Sequence, residues 1–129
     1  MIKKALPLLL TIFSMSAMFQ MVHAEEKPVR HIVAFNYKEG ATEGQVKQVT
    51  EAFSGLQKKI PGIVSFEHGV NNSPEGLNDG FTHVYLLTFE NTEARDAYLP
   101  HPEHEKFGVL LEKLDILKDV FVVDYSVRN

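Results

Sequence analysis

From Val29 onward the apolar positions of this chain switch between a period of two and a period of three to four, and each switch marks an element. Val29, His31, Val33, Phe35 and Tyr37 alternate with Arg30, Ile32, Ala34 and Asn36, the pattern of a strand with one face on a core. His31 shares the face of the bulky apolar residues, which predicts a covered position for it. After the turn Lys38 to Ala41, Thr42-Glu-Gly-Gln45 has the capping-box form, in which a hydroxyl and a Gln side chain each satisfy a backbone N–H at a helix start. Val46, Val49, Phe53, Leu56 and Ile60 then recur every three or four positions, an amphipathic helix that Pro61-Gly62 ends.

Ile63 to Val70 reads as a second strand with Val64, Phe66, His68 and Val70 on one face, and the loop Asn71 to Gly80 is dense in turn formers. Phe81 to Glu90 is the third and most hydrophobic strand, expected to be covered on both faces. Asn91 or Thr92 caps a short helix that runs to Leu99, and Pro100-His-Pro102 interrupts it. Pro102 suits the first turn of a further helix, His104 to Leu114, with His101 as its cap and Phe107, Leu110, Leu111 and Leu114 as its stripe. In the last strand, Ile116 to Val127, the residues Phe121, Val123, Tyr125 and Val127 alternate against Val120, Val122 and Asp124.

Strand, helix, strand, strand, helix, strand predicts an α+β, ferredoxin-like βαββαβ fold: a four-stranded, mostly antiparallel sheet with helices on one face. The other face still needs cover. Because the third and last strands are apolar on both sides, a second copy of the chain is the expected cover, which makes the protein a homodimer.

Composition changes this picture at the N-terminus. Lys3 and Lys4, an uncharged and largely apolar run from Ala5 to Phe19, and Val22-His-Ala24 have the form of a secretory signal, so residues 1–24 are expected to be cleaved. The run falls short of the roughly 20 residues a membrane span needs, and no stable membrane insertion is expected after cleavage. Residues 25–129 then form a single domain in the periplasm or outside the cell. Loss of two lysines takes the net charge from −4 to −6, a sign that disfavours nucleic acid and anionic membrane surfaces. The chain has no Cys, which excludes disulfides, thiol catalysis and thiolate metal sites.

The chemistry-bearing residues concentrate between Gly80 and Phe107, where His83, Tyr98, His101 and His104 lie. His101-x-x-His104 lacks a third ligand that the sequence announces, so no metal is assigned. Asn72-Ser-Pro-Glu-Gly76 has too few glycines to cradle phosphate, no Gly-x-Ser-x-Gly nucleophile motif is present, and no cofactor is assigned. An imidazole can take a proton from a carbon beside a carbonyl near neutral pH while a phenol donates to the developing enolate oxygen, and a proline break lets Tyr98 and His104 converge on one pocket.

Arg30-His-Ile-Val33, Ile60-Pro-Gly62, Asn72-Ser-Pro-Glu-Gly76, Gly80-Phe-Thr-His83, Tyr98-Leu-Pro-His-Pro-Glu-His104 and Val122-Val-Asp-Tyr125 together resemble the stress-responsive dimeric α/β-barrel (Dabb) family across residues 29–127. The resemblance implies that two sheets close a barrel in the dimer. The family includes a plant polyketide cyclase that closes an aromatic ring by aldol condensation without a cofactor. Carried over by motif, its catalytic tyrosine and histidine fall on Tyr98 and His104, and its pocket histidines on His31 and His83. Tyr85, on the strand of His83, is counted with them as a ligand contact. The expected function is binding of a small apolar or aromatic molecule, with cofactor-independent acid–base chemistry of the cyclase or isomerase kind. A protein of stress or stability, acting through its oligomeric surface, is the alternative.

Overall fold

A computed structural model describes residues 26–129, and the expected signal segment lies outside them. The elements run β1 (Val29–Tyr37), α1 (Glu43–Lys59), β2 (Ile63–Val70), β3 (His83–Phe89), α2 (Thr92–Tyr98), α3 (Pro102–Leu114) and β4 (Leu117–Ser126). The sheet order is β2-β3-β1-β4, with every neighbouring pair antiparallel. β3 therefore sits between β1 and β2, the two strands that α1 connects, which is the split βαβ unit of the ferredoxin-like fold.

Local chemistry sets the helix limits. Thr42 Oγ1 accepts from the Gln45 N–H at 3.2 Å, and Gln45 Oε1 accepts from the Thr42 N–H at 3.0 Å, so the capping box forms in full. At the other end Gly62 takes φ +91°, and a Cβ there would stand 2.6 Å from Ala94 Cβ. Only glycine fits that turn. Asn91 rather than Thr92 caps α2, its Oδ1 accepting from the Ala94 N–H at 2.8 Å. The proline break yields two helices, and α3 begins at Pro102, two residues earlier than the expected start at His104.

The core lies between the helices and one sheet face. Val33, Phe35, Tyr85, Leu87 and Phe89 meet Val49, Phe53 and Leu56 of α1 and Phe107 of α3. Phe53 stacks on Phe107 with ring centroids 4.6 Å apart. In β2 the buried end residue is Ile63, while Val64 is exposed. A register shift between Ile63 and Ser65 explains the difference from strict alternation.

The opposite sheet face is left open by the chain itself, the face on which a second copy is the expected cover. Val84, Phe121, Val123 and Tyr125 are 37, 50, 42 and 50% exposed. Register aligns them: Ala34 pairs with both Val84 and Phe121, and Ile32 with both Leu86 and Val123. No helix among the described residues is long and apolar enough to cross a membrane.

Candidate functional site

The break between α2 and α3 positions the central pair. Tyr98 ends α2, and His101 caps α3 by accepting from the Glu103 N–H through Nδ1 at 3.1 Å. One turn on, His104 Nδ1 donates back across the break to the Leu99 carbonyl at 2.9 Å. This fold-back sets the His104 ring 4.2 Å from that of Tyr98. From the sheet side His31 approaches Tyr98 at 5.7 Å and is itself 5% exposed. The alternation that placed His31 on the covered face therefore placed it correctly.

His31 Nδ1 donates to Asp124 Oδ1 at 2.6 Å, and Asp124 Oδ2 accepts from the Arg95 guanidinium at 2.6 Å. Carbonyl and carboxylate oxygens only accept, so His31 and His104 each donate a proton from Nδ1. Two imidazole rings thus stand beside one phenol, and each is held by a fixed backbone or carboxylate partner.

The phenol itself carries the sharpest signal. Tyr98 is fully buried, and its hydroxyl is the one buried side-chain polar atom among the described residues without a hydrogen-bond partner. Such an orphan costs about 1–3 kcal/mol, and natural proteins rarely keep one without use. Burial, and secondarily the charge of Asp124, pushes the Tyr98 pKa well above its ordinary 10. The group is therefore a neutral donor at any physiological pH. It borders a cavity of about 220 Å³ whose walls include His31, His104, Phe35, Phe53, Phe107 and Val122. Val120 and Val122 of β4 are about half exposed, so the cavity opens along that strand.

His83 does not join this group, contrary to the expectation of one pocket. β3 runs antiparallel to β1, and the residue opposite His31 is Leu87, while His83 lies opposite Phe35. Four residues of strand separate the two histidines, roughly 13 Å along the sheet. His83 instead lines a second cavity of about 700 Å³ with His68, Tyr37 and Thr50, its ring 4.8 Å from that of Tyr37. Burial, then the neighbouring His68, lowers its pKa from the ordinary 6.5. Tyr85, expected as a ligand contact, is buried and lines neither cavity, and its hydroxyl is engaged by Tyr37 and Thr50 at 2.9 Å each. Burial and that hydrogen bond raise the Tyr37 phenol far above its usual range.

Asp124 and Arg95 were not singled out from the sequence. A usable signal was present for the first: Asp124 falls on the same alternation register as Val120 and Val122, an acid on an apolar strand face. His31 is the matching oddity on β1. The sheet pairs them directly across the ladder.

Fold and site together define a protein of the ferredoxin-like class with an apolar cavity between sheet and helices that ends in acid–base groups. The chain belongs to the Dabb family, the stress responsive A/B barrel domain, whose model matches residues 29–127. A stress-response A/B barrel domain-containing protein, HS1, of Arabidopsis thaliana is 32% identical over 77% of this chain and 89% of its own length. Olivetolic acid cyclase of Cannabis sativa is 26% identical over 78% of this chain and 98% of its own. Among solved structures, the hydroxynitrile lyase of Passiflora edulis superposes with a TM-score of 0.72 at 27% identity, covering 81% of this chain and 96% of its own. A dimeric ferredoxin-like protein from Jannaschia superposes with a TM-score of 0.63 at 30% identity, covering 78% and 99%.

Proposed function

We propose that the protein is an exported homodimer that binds a small apolar or aromatic carbonyl compound beneath Tyr98 and transfers a proton at the carbon next to that carbonyl, without a cofactor. The observation that carries this reading is the buried, unpartnered hydroxyl of Tyr98, a residue that lines an apolar cavity together with two imidazoles. A ligand carbonyl supplies the missing acceptor. Tyr98 donates to the carbonyl oxygen, His104 Nε2 takes the proton from the adjacent carbon, and the electron pair of the broken C–H bond moves into the enolate that the phenol stabilises. Return of the proton gives exchange or isomerisation, and attack of the enolate carbon on a second carbonyl gives ring closure. The relatives named a cyclase and a hydroxynitrile lyase support chemistry of this general kind.

The open face of β1, β3 and β4 supports the dimer, as do the dimeric relatives of the same fold. Export rests on the N-terminal sequence. Thioester intermediates of polyketide synthesis are cytosolic, so export argues for a different, unactivated carbonyl ligand. The test is deuterium uptake from D₂O at the carbon next to the carbonyl in a panel of aryl ketones and β-diketones, followed by NMR. Catalysed uptake that Tyr98→Phe and His104→Ala each abolish is the expected result. Uptake and ligand affinity unchanged in both variants would overturn the assignment and favour action through the oligomeric surface.

A further inference from the structure

One face of α3 forms a wall of the Tyr98 cavity, and that wall has a gap. His104, Phe107, Gly108 and Leu111 follow one another at the three- and four-residue steps that share a helix face, and all four line the cavity of about 220 Å³. Gly108 sits in the middle of the helix, where glycine is the least favourable residue apart from proline. Neither usual reason for glycine applies. Its backbone is helical rather than left-handed, and a Cβ built on it would meet nothing within 4 Å beyond its chain neighbours and its own helix backbone. Helical side chains lean toward the N-terminus, so a side chain at position 108 would stand over the turn that carries His104. Glycine keeps that approach to the imidazole open.

We propose that Gly108 is a specificity-determining residue of the Tyr98 cavity: the ring of the ligand takes the place of the missing side chain, against α3 and beside His104, so the site selects an aryl ketone over a small acyclic one. This rests on the reading of the cavity as a ligand site. The fold itself gains nothing from the gap, because alanine would fit without a clash and would suit the helix better. What the gap supplies is room for an apolar body next to the acid–base groups, and Phe35, Phe53 and Phe107 give that body aromatic walls. A second glycine inside a helix, Gly55 of α1, is equally free of contacts but lines neither cavity, and it serves as the control.

The probes are acetophenone, which carries a ring beside its carbonyl, and butanone, which does not, each titrated by NMR into the full-length mature protein so that weak affinities are read. Gly108→Ala is expected to raise the melting temperature by roughly 4–8 °C. It weakens acetophenone by roughly tenfold or more, as one extra methyl group in an apolar site does, and binds butanone as wild type does. Gly108→Leu, which also places a good helix former there, abolishes acetophenone binding. Gly55→Ala gives the thermal gain with both affinities unchanged. A Gly108→Ala protein that binds both ketones as wild type does, or that weakens both alike, overturns the role of Gly108 and leaves the ligand site standing. One that melts below wild type, or that changes its oligomeric state in sedimentation, shows the gap to be filled by the protein or its partner copy and overturns that role as well. Wild type that binds neither ketone overturns the ligand site beneath Tyr98 and this proposal with it.

Discussion

Replacing Tyr98 by Phe should stabilise the protein while removing the proposed proton transfer. The substitution deletes one atom, the hydroxyl oxygen, which is buried without a partner. The ring keeps its neighbours: Phe89 at 5.0 Å, His31 at 5.7 Å and His104 at 4.2 Å. An unsatisfied buried hydroxyl costs about 1–3 kcal/mol, and its removal returns that amount without opening a cavity larger than one atom. For a domain of this size each kcal/mol moves the melting temperature by roughly 4–8 °C. Thermal unfolding followed by circular dichroism, without ligand and at one fixed protein concentration, reads the shift, because melting of a dimer depends on concentration. Tyr98→Ala is the contrasting variant, since it removes the ring and costs about 3–5 kcal/mol, as for other large aromatics. A Tyr98→Phe protein that melts below wild type would show that the hydroxyl is satisfied in solution, and the argument that it awaits a ligand would fail. A rise in stability with a loss of turnover is the trade expected of a functional group held in an unfavourable setting.

Three further outcomes follow from the same geometry. His83 has a pKa below its ordinary 6.5, so between those two values the unfolded chain binds more protons than the folded one and stability rises with pH; this contribution is present above 6.5 and lost as pH falls through the folded value, and denaturant titrations from about pH 7 to 5 should show a flatter slope in His83→Gln, an unchanged slope counting against it. Asp124→Asn should let the Tyr98 phenol ionise at lower pH, because the Asp124 charge helps to raise it; it should also cost about 1.5–3 kcal/mol through the weakened links to His31 and Arg95, and ultraviolet phenolate titration with chemical denaturation checks both. Val123→Glu places a charge on the open sheet face and should convert the dimer to monomer in sedimentation at micromolar concentration, whereas the same change at the exposed Val109 of α3 should not.

Much of the architecture was legible along the chain because it depends on periods and caps that act locally. The alternation of β1, the capping box at Thr42, the stop at Pro61-Gly62 and the proline break after Tyr98 each determine an element whatever lies across from it. The same local rules placed His31 on the covered face, and the break itself turns His104 back onto Tyr98. Where local pattern failed, a neighbouring strand had decided. The β2 register shift buries Ile63 in place of Val64.

Strand order and register are properties of pairing between distant segments, and they decided the composition of the site. Antiparallel register put Leu87 opposite His31 and carried His83 four residues away to a different cavity. It brought Asp124, 93 positions along the chain from His31, into contact with that imidazole. It also joined the Tyr85 hydroxyl to Tyr37 of β1 and Thr50 of α1, a meeting that no period in the sequence could announce. The sequence by itself determined which residues face the core and where the chain turns. Only the tertiary structure decided which of those inward-facing polar groups meet, because that depends on which strand lies alongside and by how many residues it is offset.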